Sequence, residues 1–388
     1  MAREFAAFGK KLFSALDRDP MALDTHFDER DWERIYRDWS AWWEGELDRC
    51  LVVIDGLPGP DEAGQMEVGP WEGFSSNFSL EAPLEHVLAF FEPGLRLRRA
   101  LGDGWPRWWP NFGPGIVAGF LGADMRPELD TVWFSMPDTP PFEQLHPTRD
   151  EANPWWARVR DLTRAAVERW GGSLTVGFTD LGGNLDILAS LRATQQLLID
   201  LSDSPEEVAR LSGEITRLWL GYYDSLYAMI GIGGRGTWPW APIWSPGRCY
   251  MLQSDFSYMI SPQMFERFVM PDLQACCEAL DHAFYHLDGR GQIPHLDCLL
   301  SLKKLNGIQW VPGDGAPPPE KWLPLLRRIR DGGKRCQIYV TPEGARTIVR
   351  ELGGRGFAFY IAQPLYPDDA RRLLAELNAA SRDRETFG

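Results

Sequence analysis

Hydrophobic and polar positions change period along the chain, and each change predicts an element. Between Asp28 and Leu47, Trp32, Ile35, Trp39 and Trp42-Trp43 recur at three- and four-residue steps, the mark of an amphipathic helix. Phe5, Phe8, Leu12 and Leu16 share that spacing and predict another packed helix. Leu51-Val52-Val53-Ile54 is a β-branched run closed by Asp55-Gly56, a strand and turn. Glu81 to Leu101 reads as a helix interrupted at Pro93-Gly94, and Thr131 to Met136 as a short strand. Pro154 to Trp170 is a helix stopped by Gly171-Gly172, with a strand at Ser173 to Phe178 after it. Asn184 or Asp186 caps a helix from Ile187 to Leu201. Ser204-Pro205-Glu206-Glu207 opens the next: a Ser cap, a Pro in the first turn, a Glu three residues after the cap.

From Met251 the pattern is regular. Strands at Met251–Asp255, Ala283–Asp288, Gly307–Val311, Gln337–Val340 and Phe357–Ile361 alternate with helices, several opened by Ser261-Pro262, Thr341-Pro342-Glu343 and Tyr366-Pro367-Asp368. Strand–helix units in succession predict a parallel sheet with helical crossovers. An open doubly wound sheet and a closed barrel both satisfy this. The strand candidates approach eight and no Gly-rich dinucleotide fingerprint follows any of them, which favours the barrel and argues against NAD or a nucleotide. The expected fold is α/β: a single (β/α)8 TIM barrel over residues 51–388, with residues 1–50 as an N-terminal helical extension packed on it.

In such barrels the chemistry gathers at the C-terminal strand ends. Those ends carry Asp180, Gln253, Asp255, His286, Asp288, Gln309, Asp314, Thr341 and Gln363. The central stretch is Tyr285-His286-Leu287-Asp288-Gly289. Alternation along a strand puts Phe284, His286 and Asp288 on one face. An imidazole beside a carboxylate at a strand end makes a site floor, and the plainer alternative is a His-Asp hydrogen bond that holds a loop. Thr341 reads as a helix cap. His295-Leu296-Asp297 repeats the motif at a helix start, where Asp297 suits the dipole, and reads as structural. Cys276-Cys277 reads as packing, and His282 faces the opposite, N-terminal end of the barrel.

Composition narrows the function. Of 18 Trp, Trp42, Trp43, Trp219 and Trp322 fit helix packing. Gly104–Gly115 and Gly236–Gly247 instead read as turn-rich loops that line one cleft. There Trp108, Trp109, Phe112 and Trp240, with Asn111 among turn formers, would face a broad, flat, apolar ligand. A net charge of −15 repels phosphate backbones and excludes nucleic acid as a partner. No apolar run reaches the roughly 18 residues of a membrane span. The first residues lack a signal-peptide layout, since Lys10 and Lys11 break the apolar stretch. Six Cys without CxxC spacing point to unpaired thiols and a cytoplasmic location. A homodimer is compatible with these features.

Three stretches resemble the uroporphyrinogen decarboxylase superfamily, which includes corrinoid-linked methyltransferases and cobalamin-independent methionine synthase. The first is Gln253-Ser254-Asp255-Phe256-Ser257-Tyr258-Met259-Ile260-Ser261-Pro262, with Phe265 and Pro271. The second is His286-Leu287-Asp288-Gly289 with Ile293 and Pro294, where relatives carry His-x-Cys-Gly or His-x-Asp-Gly. The third is Gln363-Pro364 with Pro367 and Asp368-Asp369. The likeness is clear over residues 173–378 and marks a divergent member. An Arg-rich segment near the start has no match, and Asn111 stands near the place of a decarboxylase Asp. Asp288 replaces the first zinc-binding Cys of the thiol-activating methyltransferases, and Gln363 lies near the second. No Asp-x-His-x-x-Gly motif is present, so the chain holds no cobalamin of its own.

The resemblance implies one barrel and an enzyme. The first reading is a methyltransferase in which a divalent metal, zinc foremost, sits on His286 and Asp288 as a Lewis acid, completed by Asp255, Gln253 or Gln363. Its methyl carrier would be a corrinoid on a separate protein, a pterin or a thioether. The alternative is metal-free decarboxylation of a tetrapyrrole or other aromatic acid, with Asp288, Asp255 or Asp180 stabilising a cation and His286 as general acid. Arg235, Arg248 and Arg290 would then bind the substrate's carboxylates. Glycoside hydrolysis lacks a rim pair of Glu. A binding relative that has lost its catalytic ligands also fits Asn111, Asp288 and Gln363. Catalysis is thus expected from His286, Asp288, Asp255 and Asp180, and substrate contacts from Asn111, Trp108, Trp109, Phe112, Trp240, Gln253, Gln309 and Gln363.

Overall fold

The computed structural model describes residues 23–58, 72–129 and 131–385. The apolar pattern from Phe5 to Leu16 lies outside them. The first described helix, α1 (Glu29–Glu44), begins at a capping box: Asp28 accepts from the Arg30 and Asp31 backbone N–H, and Asp31 reciprocates on Asp28 N. It ends at Gly45 in the left-handed conformation. Its apolar stripe buries Trp32, Ile35, Trp39, Trp42 and Trp43.

Among the described residues eleven strands follow, in three sheets. They are β1 (Leu51–Gly56), β2 (Arg99–Gly102), β3 (Arg107–Trp108), β4 (Asp124–Pro127), β5 (Val132–Ser135), β6 (Thr175–Val176), β7 (Cys249–Leu252), β8 (His282–Asp288), β9 (Leu305–Val311), β10 (Arg335–Val340) and β11 (Phe357–Leu365). The main sheet runs β2-β1-β11-β10-β9-β8-β7, with only β2 antiparallel. A parallel pair β3-β6 and an antiparallel pair β4-β5 complete the set. The architecture is mixed α/β with a curled, mostly parallel sheet. Among the described residues no ladder joins β3-β6 to the main sheet.

Alternation sorts the strand residues into two cores. Val52 and Ile54 of β1, Tyr285 and Leu287 of β8, and Phe357 and Phe359 of β11 pack outward on the helices. Leu51, Val53, Cys249, Met251, Phe284 and Ala358 point inward, onto Trp39, Trp42, Trp43, Trp105, Trp238 and Trp244. Trp39 meets Trp105 edge-on at 5.4 Å, and Trp105 meets Trp238 at 6.1 Å. His282 stacks on Trp43 at 4.1 Å, and its Nδ1 lies 2.8 Å from the Ser245 hydroxyl. Since His282 begins β8, this aromatic mass stoppers the N-terminal end of the strands. The segment from Thr237 to Ser245 contributes as a hairpin closed by their mutual bridge. It fits because position 177 is Gly: a Cβ there would lie 2.5 Å from the Trp238 ring.

Several elements differ from the sequence reading. Helix α2 (Leu84–Leu97) runs through Pro93, because burial of Val87, Leu88, Phe91 and Leu95 outweighs the lost backbone bond. The segment after it is not helix but β2. The single helix expected at 187–201 is two, α3 (Asn184–Arg192) and α4 (Thr194–Asp203), broken where Ala193 takes φ of 62°. Ser204 forms no side-chain cap on the next helix, Pro205–Ile230. Strand β7 ends at Leu252, and Asp255 opens a short turn of helix to Met259. Ser261 and Thr341 do cap their helices. All six Cys are unpaired, and among the described residues no helix is long and apolar enough to cross a membrane.

Candidate active site

The site is assembled at the C-terminal end of β8. His286 and Asp288 lie two residues apart on its inner face, and Asp255 joins them from the turn after β7. One potential ligand atom from each of the three lies within 4.8 Å of the other two. The His286 ring is held by neighbouring strands. In the β8-β9 register His286 faces Gln309, and in the β9-β10 register Gln309 faces Gln337. His286 Nδ1–H donates to Gln309 Oε1, and Gln309 Nε2 donates to Gln337 Oε1 at 2.6 Å. Both glutamines are fully buried. This rung leaves Nε2 of His286 as the lone-pair nitrogen. Trp240, at the hairpin tip, packs edge-on against the imidazole at 5.1 Å. Burial holds the His286 pKa below its ordinary value, against the opposing pull of Asp288, Gln309 and Asp186, so the ring is neutral.

A second tier of carboxylates stands behind the first. Asp186, in the first turn of α3, accepts the backbone N–H of Asp255 at 3.0 Å and of Phe256 at 2.7 Å, fixing the turn that carries Asp255. It approaches because position 183 is Gly, where a Cβ would lie 2.4 Å from its Oδ2. Asp180 follows β6 and accepts from Gly182 N at 2.9 Å. Burial first, then the charges of Asp255 and Asp186, push Asp180 up to about 8. Burial and Asp255 push Asp186 up to about 7. Enclosing protein and the Asp288 charge push Asp255 up to about 6, and because Asp255 is open to the cleft, the charge is the firmer cause. Carboxyls crowded this closely resist ionising together, and an added cation would relieve that resistance.

Beside the three residues opens a cleft of about 450 Å³, lined in part by Asp186, Gln253, Asp255, Phe256, Trp133 and Met259. A separate cavity of about 360 Å³ lies at the ends of β1 and β11. There Asp55 accepts from Arg98, from Arg107 Nη2 at 3.0 Å and from the Tyr360 hydroxyl at 2.6 Å.

The structure brings together His286, Asp288, Asp255, Asp180, Gln253, Gln309 and Trp240, but not the other expected contacts. Gln363 lines the second cavity. Trp108 is buried against Phe91 and Trp170, and Phe112 against Trp155. Trp109 packs on the inner aromatic cluster. Asn111 holds its own turn, accepting from Gly113 N at 2.9 Å. Thus of the two Trp-rich segments, Trp240 alone reaches the imidazole, and the other tryptophans named above serve packing. Arg235 pairs with Glu29 of α1, and Arg248, preceding β7, pairs with Asp224, so both sit at the N-terminal end of the sheet. Asp186 and Gln337 were not anticipated. Asp186 resembled a helix cap in sequence. Gln337 carried a signal: a polar residue on the inner face of an otherwise apolar strand.

The curled, mostly parallel sheet with its side-chain cluster at the C-terminal strand ends is consistent with a barrel-like α/β fold. The sequence matches no family model and no curated protein. Among solved structures, a methyltransferase from Methanosarcina mazei superposes over 90% of this chain and 99% of its own, with 13% identity and a TM-score of 0.56. A B12-independent methionine synthase from a Shewanella species, in complex with selenomethionine, covers 69% of this chain and 76% of its own, with 12% identity and a TM-score of 0.36, a likeness too loose to define a fold. At 13% identity the likeness to the Methanosarcina methyltransferase is one of fold.

Proposed function

We propose that the chain is a metal-assisted methyltransferase built on a (β/α)8 barrel over residues 51–388, with residues 1–50 as its extension. It would work in the cytoplasm with a corrinoid, pterin or thioether methyl carrier, the corrinoid on a separate protein. The carrying observation is the convergence of His286, Asp255 and Asp288 within 4.8 Å. A neutral imidazole and two carboxylates are an N/O donor set suited to a divalent ion. The Gln309 anchor on Nδ1 supports this, because metal-ligating histidines typically donate their other N–H to an oxygen that fixes ring and tautomer. His286 Nε2, Asp255 and Asp288 would hold the ion, which when bound supplies Lewis acidity toward the methyl acceptor or donor atom. Asp186 keeps Asp255 in place through two backbone bonds. Trp240 closes the inner side of the imidazole to water.

The decarboxylase alternative requires cations near the rim for an acidic substrate. Arg235 and Arg248 are committed to Glu29 and Asp224 at the far end, whereas Arg290 follows Asp288 at the rim, so that reading keeps one of its three cations. The deciding experiment is metal analysis of protein purified without chelator, together with His286→Ala and Asp288→Ala. Metal-assisted methyl transfer predicts that both variants lose bound metal and activity, and that chelator reproduces the loss. A fully active enzyme in chelator, slowing as pH rises past the histidine range, would support a proton-donating His286 and decarboxylation instead.

A further inference from the structure

The cleft beside the triad has an unusual lining. Among the described residues that line it there is no Lys, Arg or His, whereas two carboxylates, Asp186 and Asp255, face it. Its remaining wall is aromatic and soft: Trp133, Phe134, Phe256 and Met259. Trp133 is 55% exposed, an indole left open at the mouth. Gln253 supplies a separate observation. It lines the cleft, is only 6% exposed, and has no side-chain hydrogen-bond partner among the described residues, while its amide atoms stay open to the cleft. An unpartnered amide opening onto a cavity is placed to meet a polar group of a ligand.

We infer that this cleft binds an organic cation with a methylated, apolar body: a quaternary ammonium or a sulfonium. Three features of such an ion match three of the walls. Its charge is diffuse and weakly hydrated, which suits carboxylates set among aromatic faces, and cation–π attraction to Trp133 adds to this. Its methyl groups suit Phe256 and Met259. A hydroxyl or carboxylate elsewhere on the molecule meets Gln253. An anion, by contrast, would in the metal-free protein meet Asp186 and Asp255 with no Lys, Arg or His among the described lining residues to offset them.

The inference deepens the methyl-transfer reading and rests on it. In an onium ion the methyl carbon already bears a good leaving group. The C–N or C–S bond breaks with its electron pair leaving on a neutral amine or thioether. The new bond to carbon forms from the nucleophilic atom of the carrier, a corrinoid cobalt or a thiolate. No proton, oxidant or reductant is consumed.

Binding can be measured without turnover. Full-length protein, stripped of metal and then dialysed free of chelator, is titrated calorimetrically with choline, with its uncharged tert-butyl analogue in which carbon replaces nitrogen, and with acetate. Choline is expected to bind at least tenfold more tightly than the analogue, with affinity falling as salt rises, and acetate not to bind. Trp133→Ala, at an exposed position that leaves the core untouched, should weaken choline binding about three- to thirtyfold while Trp133→Phe keeps most of it. Equal binding of choline and its neutral analogue, binding of acetate, or an unchanged affinity in Trp133→Ala would each overturn the inference. None of these outcomes touches the metal and activity results for His286→Ala, so the two readings fail separately.

Discussion

Replacing Gln309 by Leu tests whether the rung across β8, β9 and β10 prepares the imidazole. The side chain is fully buried, accepts from His286 Nδ1–H, and donates to Gln337 Oε1 at 2.6 Å; the Tyr339 hydroxyl also meets it. Leucine matches its bulk but offers no polar atom. It strands the His286 N–H and the Gln337 carbonyl oxygen. The Gln337 amide nitrogen is already without a partner. Each stranded buried group costs about 1–3 kcal/mol, so the variant should lose roughly 2–6 kcal/mol of stability in urea unfolding. Loss of the oxygen that orients a ligating histidine typically weakens metal binding about 10–100-fold. Gln309→Glu is the informative companion. It restores an acceptor for His286, and a flipped Gln337 amide then donates to it. Competitive zinc titration should therefore show the Glu variant binding far more tightly than the Leu variant. If the folded Leu variant binds zinc within twofold of wild type, the anchoring of Nδ1 contributes nothing and the ligand assignment of His286 falls with it.

Other outcomes follow from the same geometry. Added zinc should raise the unfolding temperature of wild type, since a ligand bound only to the native state stabilises it, and should not do so for His286→Ala. Asp180, with its pKa raised to about 8, binds its proton more tightly in the native than in the unfolded state. Stability measured in chelator should therefore fall as pH rises from about 3.8 to about 8, and Asp180→Asn should flatten that slope; a parallel curve would show that Asp180 titrates normally. Trp39→Ala removes a fully buried indole whose N–H donates to Asp103 O at 3.0 Å, and should cost about 3–5 kcal/mol in urea melts. A cost below about 1 kcal/mol would mean the aromatic stopper is loosely packed.

The parts legible in sequence are those governed by local period. The alternation of strand and helix after Met251 emerges as β7 to β11, because buried parallel strands and amphipathic helices each write their period into the chain. Asp28, Ser261 and Thr341 likewise announce their helix starts, since capping is a local bond. What was hidden depends on distant partners. Pro93 stays inside α2 because its neighbours are buried, and Ala193 breaks a helix that its own propensity would continue. Asp186 looked like a cap, and its bonds to Asp255 and Phe256 join residues about seventy positions apart, a distance no periodicity reports. The tryptophans of Gly104–Gly115 and Gly236–Gly247 read as platforms for a flat ligand, because their turn-rich surroundings conceal that most of them fold inward into packing. His286 and Asp288 were placed together by nothing more than strand alternation, whereas their third partner, Asp255, needed the β7-β8 neighbourhood.

The aromatic stopper at the N-terminal end gives the site a blind well with one mouth. Tryptophans from α1 and the hairpin fill the space below His286, with Trp240 at its level. Under the proposed methyl transfer, donor and acceptor would both approach His286 from the C-terminal side, and the partner that sits deeper would have to load first. A compulsory order of binding would then be a kinetic consequence of packing by side chains that never touch a ligand.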